Sequence, residues 1–171
     1  MTKKIKPKIL LDADVVIHFV KGGQISLLPT IFEEEKVILD KVLEELQQHK
    51  ELKQYYENLV SFGLIKEISF SKDIKVLQEY SKLRKKFGKG ESACMAYCKF
   101  NNNVLASSNL KDIKDYCIEN NIEYITTMDF LKEAYEKNLL TETECDFFIY
   151  NVKSKGSKLP CDSISEYIES F

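Results

Sequence analysis

Histidine and paired cysteine are scarce in this 171-residue chain. Only His18 and His49 occur, and no two cysteines stand at C-x-x-C spacing, which argues against a structural zinc site. The five cysteines are odd in number and scattered, so a disulfide framework is not expected. Glycine and proline are sparse, at 6 and 3, in a composition that is 44% hydrophobic and 30% charged, which sets aside disorder and repeats. No apolar run approaches the roughly 20 residues needed to span a bilayer. The basic start, MTKKIKPK, leads directly into a strand without the apolar segment or cleavage site of a secretion signal, so a cytoplasmic protein with no membrane partner is expected. An excess of one charge is also missing. The formal net charge is -2, so any affinity for nucleic acid has to come from a local patch.

What is present has room for one full-sized α/β domain. The stretch Lys8–His18, KILLDADVVIH, organises it. Ile9, Leu10 and Leu11 form the short, continuously apolar run of a strand buried on both faces, which belongs to a parallel sheet. The run ends in Asp12 and Asp14. Ligands of open parallel sheets bind beyond the carboxyl ends of strands, where Asp12 falls. The plainer alternative is that Asp12 caps the next helix and Asp14 answers its dipole.

Further strands are expected at 36–39, 64–70, 103–106 and 123–126. Helices are expected at 14–20, 24–32 (interrupted by Pro29), 40–50, 52–62, 72–87, 91–100, 109–120 and 127–139. Thr141 and Glu144 form a capping box that opens a helix over 142–152, and a short amphipathic end covers 164–171. Strands alternating with helices predict a three-layer α/β/α fold around a mostly parallel sheet of about five strands. Cys94 and Cys98, four apart on one predicted helix, share a face and read as small core residues.

Four acids fall at strand ends. Asp12 closes the first strand and Glu45 lies in the helix after the second. Glu91 opens the helix leading to the fourth, and Asp112 sits one turn into the helix that follows it. If the first and fourth strands are neighbours at the switch point of the sheet, all four converge on one pocket. Carboxylates crowded together raise one another's pKa, and a hard cation relieves the repulsion. Mg²⁺ or Mn²⁺ prefers carboxylate oxygens and keeps several waters, one of which can serve as a nucleophile. In-line attack on a phosphodiester suits such a site. Each acid also has a simpler reading: Glu45 and Asp112 as solvated helical charges, Glu91 as a helix-dipole partner.

These residues resemble the PIN-domain family, the nuclease fold of many prokaryotic toxin–antitoxin ribonucleases. ILLDADVVI matches the first-strand aspartate, VILDKVLEEL the glutamate before a Leu, and GKGESACMAY the third acid. SSNLKDI matches the Thr-x-Asn-x-x-acid turn after the fourth strand. The likeness runs from about residue 8 to 129. It implies a metal site of Asp12, Glu45, Glu91 and Asp112 that is also catalytic, with Ser107 and Asn109 lining it. It also implies RNA as substrate and a small antitoxin protein encoded nearby. Asp14 stands where many members carry a neutral polar residue, Ser107 replaces the commoner Thr, and Asn109 stands where some branches carry an acid. Glu44 or Asp40 could take the place of Glu45. On this reading residues 1–140 are the nuclease domain, and residues 141–171 a helical extension of it that serves a homodimer or the antitoxin.

The basic run supplies phosphate contacts to this picture. Arg84, Lys85, Lys86 and Lys89, with Lys82, precede Glu91, and Lys3, Lys4, Lys6 and Lys8 precede the first strand. Tyr55, Tyr56 and Tyr97 are candidates for stacking on bases. Two rival functions remain at this stage. DADVV also fits a haloacid-dehalogenase-like phosphatase with Asp12 as nucleophile and Asp14 as acid/base, although the chain lacks the late Gly-Asp pair of that family. The other rival is a PIN-like module that binds RNA or protein after losing its activity.

Overall fold

The computed structural model describes residues 6–171, so Lys3 and Lys4 of the basic start lie outside the described residues. Five parallel strands form one sheet in the order β3-β2-β1-β4-β5: β1 (Ile9–Leu11), β2 (Lys36–Leu39), β3 (Lys66–Ile68), β4 (Val104–Ala106) and β5 (Tyr124–Ile125). β1, β2 and β4 are buried along their whole length, as strands covered on both faces must be. Edge strand β3 has two exposed residues and is shorter than its hydrophobic pattern suggests.

Helices cover both sides of this sheet, as a three-layer α/β/α fold requires. On one side α5 (Lys89–Phe100) packs on β1, β2 and β4, with α2 (Asp40–Leu46), α4 (Ile74–Leu83) and α6 (Leu110–Glu119) against it. The small residues of α5 allow this close approach: Ser92, Ala93, Cys94 and Ala96 are fully buried. The other group contains α1 (Ala13–Lys21), α7 (Thr127–Glu136), α8 (Glu142–Ser154) and α9 (Ile164–Glu169), which pack on one another. Gly22 lies so close to Phe148 of α8 that a Cβ there would stand 2.2 Å from the ring, and Phe148 in turn packs on Phe19 with centroids 5.0 Å apart. Residues 141–171 are thereby fastened to the helix that follows β1. Helix α3 (Lys53–Ser61) lies between β2 and β3 in the chain.

Some boundaries differ from the sequence pattern for local reasons. The helix expected over 24–32 shrinks to a single 3₁₀ turn at Leu28–Thr30, because Pro29 has no amide hydrogen to continue a helix. The helix expected from residue 40 to 50 ends at Leu46, and the one over 72–87 covers only Ile74–Leu83. Helix α1 begins one residue early, since Asp12 Oδ1 accepts from the amide of Ala13 at 2.8 Å and caps it. All five cysteines are free and buried, Cys94 and Cys98 included. Among the described residues no helix is long and apolar enough to cross a membrane.

Candidate metal centre

The sheet order places β1 beside β4, with Leu11 opposite Ala106, so the two chain segments leave the sheet side by side. The amide of Asp12 donates to the carbonyl of Ala106 at 2.9 Å and holds the first acidic motif against the turn after β4. The side chain of Asp14 faces this turn. Asp12 is 6% exposed. Asp14 Oδ2 accepts from the amide of Ser108 at 2.8 Å and from Ser107 Oγ at 3.5 Å, while its Oδ1 is buried without a partner.

The remaining acids arrive from the helices. Glu91, 9% exposed in the first turn of α5, accepts through Oε1 from Asn109 Nδ2 at 2.9 Å. The same amide donates to Asp112 Oδ2 at 2.8 Å, so one NH₂ group links the two carboxylates. Glu45 reaches in from α2 across Gly90, where a Cβ would lie 2.4 Å from its Oε2. The alternatives for the second acid are engaged elsewhere. Glu44 pairs with Lys89, and Asp40 accepts from the amides of Lys41 and Phe70.

Electrostatics treat these groups as one cluster. Burial lifts Asp12 well above the ordinary carboxylate range, and the charges of Asp14, Glu91 and Glu45 add to the rise. Asp14 is pushed up to about 6 by burial, against hydrogen bonds from Ser108, Val15 and Asn109 amides. Glu91 reaches about 7, through burial first and then repulsion from Asp112. Among the described residues none of the ion pairs involves Asp12, Asp14, Glu45, Glu91 or Asp112. Buried carboxylates without cations are costly, and an all-oxygen donor set with the orphaned Asp14 Oδ1 fits a hard divalent ion. Among the described residues no three acidic, His or Cys side chains stand close enough together to hold a metal ion, and the Asn109 amide lies between Glu91 and Asp112.

Clefts with basic residues flank the cluster. One, of about 570 Å³, runs from Asp14 past His18, Lys21, His49, Tyr55 and Lys155. The other, of about 330 Å³, sets Lys82, Lys86 and Lys111 among the acids Glu79, Asp112, Asp115 and Glu119. Of the basic residues expected to meet substrate, Lys86 therefore lies near an acid of the cluster. Lys89 is held by Glu44, Arg84 donates to the carbonyl of Phe87 at 2.7 Å, and Lys85 lines a separate shallow groove with Leu77 and Ser81. Tyr55 is half exposed on the first cleft, whereas Tyr56 is buried in the core.

The sequence did not point to the polar chain behind Asp14. Ser108 Oγ accepts from the amide of Thr127 at 2.9 Å and donates to Thr127 Oγ1 at 2.7 Å, and that hydroxyl lies 2.8 Å from His18 Nδ1. Burial, helped by the charge of Lys21, pushes His18 down to about 4, which favours an uncharged ring beside the Thr127 hydroxyl. Residues from α1, the β4 turn and α7 meet here. His18 stands 109 positions before Thr127 in the chain, which left no local signal.

A family model described as a PIN domain matches residues 8–170. Among solved structures, the chain is similar to one in the crystal structure of VapBC2 from Rickettsia felis bound to a DNA fragment from their promoter. The TM-score is 0.52 at 17% identity, over 69% of this chain and 97% of that one, which is a likeness of fold. No curated protein sequence matches. Because the family match runs from the first strand through α9, the two-aspartate phosphatase reading of Asp12 and Asp14 is set aside, and the chain belongs to the PIN domain family.

Proposed function

We propose that this protein is a divalent-metal-dependent endoribonuclease that hydrolyses phosphodiesters at the Asp12 cluster. The observation that supports the reading is the repulsion that Asp14, Glu91 and Glu45 exert on buried Asp12, and Asp112 on Glu91, with none of these acids in an ion pair among the described residues. Asp12, Glu45, Glu91 and Asp112 would hold the ion, and Asp14 Oδ1, buried without a hydrogen-bond partner, would be free to join them. When bound, Mg²⁺ or Mn²⁺ supplies charge neutralisation and Lewis acidity toward the phosphate.

The residues of the chain do the positioning. Ser107 and the amide of Ser108 orient Asp14, and Asn109 sets the side chains of Glu91 and Asp112. Individual lysines in the two clefts, Lys21 and Lys155 in one and Lys82, Lys86 and Lys111 in the other, would hold a strand by its phosphates without reading sequence. The family, and the likeness to VapBC2, support a place as the toxin of a toxin–antitoxin pair, acting in the cytoplasm and restrained by a small protein partner.

The test compares wild type with Asp12→Asn on single-stranded and structured RNA, with and without Mn²⁺. Metal-dependent cleavage by wild type, lost in a variant that keeps its circular dichroism and melting profile, is the expected result. Equal activity in the two proteins would overturn the proposal. Absence of turnover in wild type would leave the binding-module reading in its place.

A further inference from the structure

The turn formed by Ser108 and Asn109 has a second side, away from the carboxylates. A cavity of about 380 Å³ opens there, within the range of about 300–1,000 Å³ typical of small-molecule sites. Its walls are apolar: Leu110 from the start of α6, Met128 from α7, Leu159 and Pro160 from the loop before α9, and Tyr167 from α9 itself. The Tyr167 ring is held in place. Its hydroxyl donates to Asp129 Oδ1 at 2.7 Å, and Phe171 packs against it edge-on with centroids 5.1 Å apart. Lys111 and Lys158, both exposed, complete the lining, and neither has an ion-pair partner among the described residues.

An apolar slot with Tyr167 fixed in one wall and two ammonium groups outside any ion pair at its edge has the chemistry of a nucleotide site: the base in the slot, the phosphate on the lysines. Asn109 belongs to both places, since it bonds Glu91 and Asp112 and also lines the cavity. A strand with one phosphate at the carboxylates therefore has a neighbouring nucleotide at the mouth of the slot. Resting on the nuclease reading above, we propose that this cavity takes the base of the nucleotide next to the cleaved bond, with Lys111 and Lys158 on its phosphate, so that residues 158–167 supply base selection. The nearby hydroxyls are already committed, Ser108 to Thr127 and Thr126 to Asp129. Selection thus works by shape and stacking instead of hydrogen bonds to base edges.

The test is a titration of protein carrying ¹³C-labelled Met and Leu methyl groups with UMP, CMP, AMP and GMP in EDTA, with ribose 5-phosphate and inorganic phosphate alongside. At least one nucleoside monophosphate should shift the Met128 and Leu159 signals saturably, at least tenfold tighter than ribose 5-phosphate. Lys158→Glu should weaken that binding at least fivefold, and Leu110→Trp, which fills the slot from its exposed side, should abolish it. Ribose 5-phosphate binding as well as every nucleotide, or shifts that leave Met128 and Leu159 untouched, would overturn the proposal. Neither metal nor cleavage enters the titration. Base-dependent binding without RNA cleavage would sink the nuclease reading alone, and cleavage without base-dependent binding would sink the slot alone.

Discussion

Asn109 donates its side-chain amide to Glu91 across 2.9 Å, and the same nitrogen reaches Asp112 at 2.8 Å. An uncharged NH₂ group thus stands between two acids in the position of a bridging cation. It supplies two hydrogen bonds but no positive charge, so the repulsion between Glu91 and Asp112 persists.

That bridge sets the first prediction. Asn109→Asp adds a negative charge where the amide now sits, which should lower the melting temperature of the metal-free protein at pH 8 and tighten Mn²⁺ binding at least tenfold. Isothermal titration of both proteins measures it. Unchanged affinity would mean that Asn109 does not stand in the ion's place.

Stability should fall with rising pH when no metal is present. Asp12, Asp14 and Glu91 all have pKa values above their ordinary ones, so the folded state binds protons more readily than the unfolded chain. Their contribution is fully present below the ordinary carboxylate range and is lost as pH rises through about 6 for Asp14 and about 7 for Glu91. His18 runs the opposite way, costing stability as pH drops from 6.5 towards about 4. Three carboxyls outweigh one imidazole. Melting in EDTA should therefore occur at a higher temperature at pH 5.5 than at pH 8, and Mn²⁺ should close the gap by raising the pH 8 value. A flat profile, or the reverse slope, would show that the carboxylates are not coupled.

Gly90→Ala separates the site from the fold. The new Cβ would meet Glu45 Oε2, the mobile end of a side chain, before any backbone atom. Alanine is also the better helix former, by up to about 1 kcal/mol. Melting temperature should hold or rise while Mn²⁺ affinity and RNA cleavage drop at least tenfold. Cleavage at the wild-type rate would remove Glu45 from the site.

Glu44→Gln and Glu45→Gln, compared side by side, address the choice between neighbouring acids. Glu44 is bound to Lys89 at the surface, so its variant should cleave RNA normally, whereas Glu45→Gln should lose most activity with the fold unchanged. Equal losses would contradict the assignment.

Gly22→Ala bears on the C-terminal helices. Its Cβ would overlap the buried Phe148 ring at 2.2 Å, and overpacking of this kind costs about 1–3 kcal/mol. If α8 is an integral part of the domain, urea unfolding should shift to lower midpoint in a single transition. Two separate transitions would mark residues 141–171 as an independent unit.

Much of this architecture is local information. Unbroken apolar runs of three or four residues announced β1, β2 and β4, and the Thr141–Glu144 capping box announced α8, because hydrophobic period and end chemistry act within a few residues. Asp12 and Glu91 were visible for the same reason, each marking the end of a strand or the start of a helix. The different surroundings of Glu45 and Glu44 depend instead on a segment far along the chain, where Gly90 leaves space for the Glu45 carboxylate and Lys89 pairs with Glu44. The orphaned oxygen of Asp14, the Asn109 bridge and the His18–Thr127 contact likewise exist only once β1 and β4 lie side by side. Propensity reports what a residue does with its neighbours in the chain. The meeting of charges from distant segments is set by packing, which brings together residues that no local pattern relates.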